Sequence, residues 1–147
     1  RNFLKKKILI LCTGNSCRSQ MAEGYFRNMV GDRFEVFSAG LTPSVVNPTA
    51  ISVMKEDGVD ISNHTSKNVD QFVGQQFDYI ITVCDNAKEH CPNFPGKAER
   101  ILWSFEDPAE ATGTDEEVFN VFRKVRNQIK EKIDEFIITD KARGDNE

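Results

Sequence analysis

An α/β fold built on a parallel sheet is what the sequence predicts, and three observations carry that expectation. Short apolar runs, residues 7–11 and 79–84 among them, alternate with segments of helical periodicity. The runs are continuous rather than polar at every second position, as in strands covered on both faces, so helices are expected on both sides of the sheet. The residues best suited to chemistry, Cys12, Cys84 and Asp107, come from distant parts of the chain, yet all fall just beyond a predicted strand. Ligands of open α/β sheets bind at that edge.

Each element has its own signal. Residues 7–11 form the first strand, and from Ser19 onward Met21, Ala22, Tyr25, Phe26, Met29 and Val30 recur at helical spacing until Gly31 stops them. Residues 34–38 read as the second strand. Asn47 caps the next helix, with Pro48 at its first position and Gly58 past its end. Residues 79–84 make the third strand and 101–103 the fourth, before SFEDPAEATG, a loop rich in turn formers. Thr114 with Glu117 is a capping box. It opens a long final helix carried by Val118, Phe119, Phe122, Val125, Ile129, Ile133 and Phe136. Trp103 and the phenylalanines are assigned to the core.

The 147 residues suit one domain, 1–147, with 143–147 expected as a disordered tail. With 39% hydrophobic and 29% charged residues the composition is that of an ordinary globular chain, and we expect a monomer. A net charge of -4 argues against a nucleic-acid surface, which needs surplus Lys and Arg. Lys5, Lys6 and Lys7 precede an apolar run too short for a signal peptide or a membrane span, so a cytoplasmic location and no membrane partner are expected. Four cysteines in that reducing compartment point to reactivity or metal binding rather than structural bridges. Neither Cys12 with Cys17 nor Cys84 with Cys91 has the C-x-x-C spacing of a zinc ribbon, and His64 and His90 read as structural or surface residues, so no metal and no bound cofactor are assigned.

The stretch CTGNSCRS, residues 12–19, lies between the first strand and the first helix. Its backbone N–H groups from Thr13 through Gly14, Asn15, Ser16 and Cys17 to Arg18, the positive end of the helix and the Arg18 guanidinium together build a cradle for a tetrahedral oxyanion. The same field acts on the Cys12 sulfur and favours its nucleophilic thiolate form. A cysteine at that strand end faces the bound anion for in-line attack.

CTGNSCRS, the later DPA and the stretch VCDNAKEHCP resemble the low-molecular-weight protein tyrosine phosphatase family and, within it, the thioredoxin-coupled arsenate reductases, over nearly the whole chain. The resemblance implies a three-layer fold with a central parallel four-stranded sheet flanked by helices. It also implies Cys12 as nucleophile, Arg18 as oxyanion ligand, Asn15 and Ser19 as supports for loop and thiolate, and Asp107 as general acid. A relay is implied in which Cys84 attacks Cys12 and Cys91 attacks Cys84, with thioredoxin as the external reductant. Cys17 sits inside the cradle, where simple packing and a protective bridge with Cys12 are both open.

Arsenate and phosphate share shape and charge, and sulfate mimics both, so the cradle alone does not choose between a reductase and a phosphatase of tyrosine or small phosphate esters. The second cysteine pair favours the reductase, because release of arsenite needs a thiol to attack the sulfur bound to arsenic. Ala109, Glu110 and Ala111 follow Asp107-Pro108 where the phosphotyrosine enzymes usually carry tyrosines, which weakens the case for an aromatic ester. Were residues 84–91 one straight helix, the two Cα atoms would lie roughly 10 Å apart along the axis, beyond the ~7 Å reach of a disulfide. The segment must therefore loop when oxidised. The resemblance further implies a monovalent cation near Asn15, Glu23, Ser38 and Thr65, with an acid two places after that Thr. Lys67 stands there instead. Its ammonium replacing the cation and a solvated surface lysine are the two readings.

Overall fold

The computed structural model describes residues 5–85 and 93–145. Four parallel strands, β1 (Lys6–Cys12), β2 (Phe34–Gly40), β3 (Tyr79–Thr82) and β4 (Glu99–Leu102), lie among them in the order β2-β1-β3-β4. β1 pairs on both sides, with Leu11 level with Ala39 on β2 and with Thr82 on β3. Its central position explains its continuous apolar run: Ile8, Leu9, Ile10 and Leu11 are all fully buried. Each contributes roughly 2 kcal/mol.

The two faces of the sheet are covered unequally. Ile8, Ile10, Phe34, Val36, Tyr79 and Ile81 turn toward the larger cluster, shared with helices α1 (Arg18–Val30), α2 (Pro48–Glu56) and α3 (Asp115–Asp145). Leu9, Leu11, Ala39 and Ile80 turn to the opposite side, where Val69 and Phe72 of a 3-10 turn, Phe77 and Phe94 cover them. Among the described residues, then, the three α-helices share one face and a 3-10 turn with its loops takes the other. Phe136 packs near Phe26, Phe34, Tyr79 and Trp103 with centroids 5.0–6.2 Å away, which places Trp103 and these phenylalanines in the core as expected.

Helix signals in the sequence match the structure closely. Asn47 Oδ1 accepts from Thr49 N and Ala50 N at 2.8 and 3.2 Å, capping α2 with Pro48 in its first turn. Thr114 and Glu117 exchange bonds of 2.9 and 3.1 Å as a capping box. α3 is helical through Asp145, into the segment 143–147 expected as a tail. α1 differs from an ordinary surface helix, since every residue from Arg18 to Phe26 is buried. Gly24 permits this, because a Cβ there would lie 2.6 Å from Ile61 Cγ2. None of the described helices is long and apolar enough to cross a membrane.

Candidate active site

The turn after β1 is held from outside by its carbonyls. Thr13 O accepts from Thr42 N at 3.0 Å, Gly14 O from Ser66 Oγ at 3.1 Å, and Asn15 O from Gln20 Nε2 at 3.1 Å. Ser16 O accepts from Asn47 N at 3.0 Å and Cys17 O from Met21 N at 2.9 Å. Every peptide bond described is trans, so each following N–H points away from its carbonyl, and that of Asn15 reaches Cys12 Sγ at 3.2 Å. α1 begins beside it with no side-chain cap, which leaves its first-turn amides to face an anion.

Cys12 ends β1 and is buried. Its Sγ accepts from Asn15 N at 3.2 Å and lies 2.9 Å from Ser19 Oγ. Asn15 adopts a left-handed conformation, φ 48°, which Asn tolerates better than most residues. Its Nδ2 donates to Ser19 Oγ at 2.8 Å and to Ser38 Oγ at 2.9 Å, while its Oδ1 accepts from Lys67 N at 2.8 Å. Asn15 and Ser19 thus both contact the Cys12 sulfur directly.

Arg18 is almost wholly buried. Its Nη1 donates to Phe105 O at 3.2 Å and its Nη2 lies 3.6 Å from Asp107 Oδ2, so the guanidinium and the carboxylate share the loop after β4. Asp107 also serves as the turn residue its Asp-Pro sequence suggested, since its Oδ1 accepts from Ala109 N at 3.0 Å. Arg18 thereby links the turn after β1 to the loop after β4. Cys17 is a free, buried thiol, and burial together with Asp107 pushes its pKa up to about 12, so it stays protonated at neutral pH.

Cys84 follows β3, where Val83 N donates to Leu11 O at 2.8 Å and extends the parallel pairing by one residue. That register places Cys84 at the same edge of the sheet as Cys12, and both lie in the same buried cluster. Cys84 is disulfide-bonded, whereas Cys12 and Cys17 are free. Cys91 and His90 lie outside the described residues.

The expected cation cluster does assemble, but its oxygens are committed. Glu23 accepts from Ser38 Oγ at Oε1 and from Arg27 Nε at Oε2, at 2.5 and 2.8 Å. Lys67 Nζ donates to Thr65 O at 2.6 Å. Burial pushes the Lys67 pKa down and Glu23 opposes this. Arg27 and Lys67 thus both bring cationic groups to this cluster of oxygens.

Gly40 and Gln20 are among the site residues not singled out in the sequence. Gly40 pairs with Cys12 across β1 and β2, and a Cβ there would lie 2.6 Å from Thr13 O and 2.8 Å from Asn15 N. Gln20, fully buried, bonds Asn15, Thr65 and His64. Only the end of a strand hinted at the first; nothing local marked the second.

The chain is similar to known proteins over most of its length. The family described as low molecular weight phosphotyrosine protein phosphatase matches residues 7–143. An arsenate reductase of Halalkalibacterium halodurans is 50% identical, over 93% of this chain and 99% of that protein. A solved arsenate reductase in the phosphate binding state is 37% identical with a TM-score of 0.73, covering 91% of this chain and 98% of that one. A thioredoxin-dependent arsenate reductase of Corynebacterium glutamicum is 26% identical with a TM-score of 0.65, covering 92% of this chain and 63% of that one. The chain belongs to the low molecular weight phosphotyrosine protein phosphatase family, alongside its arsenate reductases.

Proposed function

We propose that the protein reduces arsenate to arsenite through a three-cysteine relay recharged by thioredoxin, as part of arsenic detoxification. The observation that carries this reading is the pairing of an anion cradle over Cys12 with a second, disulfide-bonded cysteine, Cys84, at the end of the adjacent strand. The Cys12 thiolate attacks arsenic(V) held by the loop amides and Arg18, and a hydroxide leaves as water with a proton from Asp107. The Cys84 thiolate then attacks Cys12 Sγ, the S–As bond breaks, and its electron pair reduces arsenic to the trivalent state. Cys91 attacks Cys84, which frees Cys12 and leaves a Cys84–Cys91 disulfide. The thioredoxin dithiol takes over that disulfide by exchange, and its potential near -270 mV suits the task.

Arsenate-dependent NADPH oxidation with thioredoxin and its reductase tests this reading, with glutathione and glutaredoxin as the alternative donors. Turnover is expected with the first pair and not with the second. Cys84→Ser and Cys91→Ser abolish that turnover but spare any phosphatase activity, whereas Cys12→Ser removes both. Thioredoxin-driven turnover surviving in Cys84→Ser would overturn the relay, whereas phosphatase activity without arsenate-dependent turnover in the wild type would leave a phosphatase of small esters as the better account. Lys67 in this reading supplies the charge that a monovalent cation supplies elsewhere, so replacing sodium by potassium leaves the rate unchanged.

A further inference from the structure

We propose that Gln20 is a positioning residue for the reaction: through Asn15 it holds both groups that contact the Cys12 sulfur. This rests on the reading of Cys12 as the nucleophile. Gln20 lies in the first turn of α1 and is fully buried, where an unpaired amide would be costly. Its Nε2 lies 3.1 Å from Asn15 O, 3.0 Å from Asn15 Oδ1 and 3.0 Å from Thr65 O. Its Oε1 faces His64 Nδ1 at 3.0 Å, which fixes the amide with its N–H side toward Asn15.

Asn15 is thereby gripped at two oxygens, one on its main chain and one on its side chain. That grip matters because Asn15 is in the left-handed region, which an L residue leaves readily when nothing holds it. In this conformation Asn15 N reaches Cys12 Sγ, and Nδ2 occupies an acceptor position on Ser19 Oγ. The Ser19 hydroxyl is then directed to donate to the sulfur 2.9 Å away. Both donors that favour a sulfur anion therefore depend on one orientation of Asn15, which Gln20 holds at main chain and side chain together, beside Lys67 N and Ser38 Oγ at the side chain alone. Thr65 O, the third acceptor, also receives Lys67 Nζ, so the same amide ties the anion loop to the segment behind it.

Gln20→Met tests the inference, because Met matches the length, keeps the space filled and lacks both donors and the acceptor. The neutral change leaves Arg18, Asp107, Glu23, His64 and Lys67 in place. The readout is the rate of Cys12 alkylation by iodoacetamide at pH 7, followed by peptide mass spectrometry, with inorganic phosphate as protectant. Loss of positioning lowers that rate about tenfold, while the phosphate concentration giving half protection moves less than threefold. Mere loosening of the fold does the opposite: it exposes a buried thiol and speeds alkylation. A rate unchanged or raised in Gln20→Met overturns the inference. Gln20→Ser, which leaves room for water, is read the same way if the Met variant does not fold, and failure of both to fold also overturns it. Absence of phosphate-protected labelling at Cys12 in the wild type sinks the nucleophile reading itself, which separates the two failures.

Discussion

Replacing Asn15 separates what holds the anion loop together from what makes its sulfur reactive. In Asn15→Ala the Lys67 N–H loses its acceptor at 2.8 Å, and the hydroxyls of Ser19 and Ser38 lose their donor. A buried group left unsatisfied costs about 1–3 kcal/mol, and here one is stranded fully and two in part. Ala in the left-handed conformation adds about 1 kcal/mol. Together these give a loss of about 3–5 kcal/mol, a large fraction of the ordinary 5–15 kcal/mol. Asn15→Asp keeps the acceptor for Lys67 and Gln20 and tolerates the same φ, so its stability loss should stay near 1–2 kcal/mol. Its new carboxylate, however, sits within about 6 Å of the Cys12 sulfur, and two like charges at that separation repel by about 3 kcal/mol at an effective dielectric near 20. Arsenate turnover should then fall at least about a hundredfold. Urea denaturation with a shared m-value reads the stabilities, and the thioredoxin-coupled assay reads the rates. An Ala variant within about 1 kcal/mol of wild type, or an Asp variant of wild-type activity, would refute the reasoning.

Gly40→Ala should impair both folding and phosphate protection of Cys12, because the Cβ would meet loop backbone at Thr13 and Asn15 rather than a side chain that can swing aside; a wild-type melting temperature would contradict this. Cys17, with its pKa pushed up to about 12, should resist iodoacetamide at pH 8 in the folded protein and react once urea exposes it, as followed by peptide mapping. The hydrogen bond from Arg123 holds the Glu56 carboxyl below its usual 4.5, at about 2, aided by Arg126. Because the folded value is the lower one, the contribution is present above pH 4.5 and disappears as pH falls toward 2. The melting-temperature difference between wild type and Glu56→Gln should follow that course, and a difference that grew on acidification would reverse the sign argued here.

The strands, helices and cradle were legible in the sequence because each has a local physical cause. A central strand must be apolar throughout, Asn47 and Thr114 carry their caps in the adjacent residues, and the thiol, amides and guanidinium of residues 12–18 lie within one turn. Extents were less legible: β2 runs on to Gly40 and β3 stops at Thr82, since ladder pairing rather than side-chain character ends a strand. The scaffold behind the cradle left no local mark at all. Thr42, Ser66 and Lys67 reach the loop from later segments, and Gln20 looks like any polar residue on a helix until the packing of residues 61–67 encloses it. The sequence by itself determined which atoms carry charge and nucleophilicity, because those are properties of the side chains. Only the tertiary structure decided how the loop is held, because Thr42, Ser66 and Asn47 take the carbonyls of Thr13, Gly14 and Ser16 from distant parts of the chain.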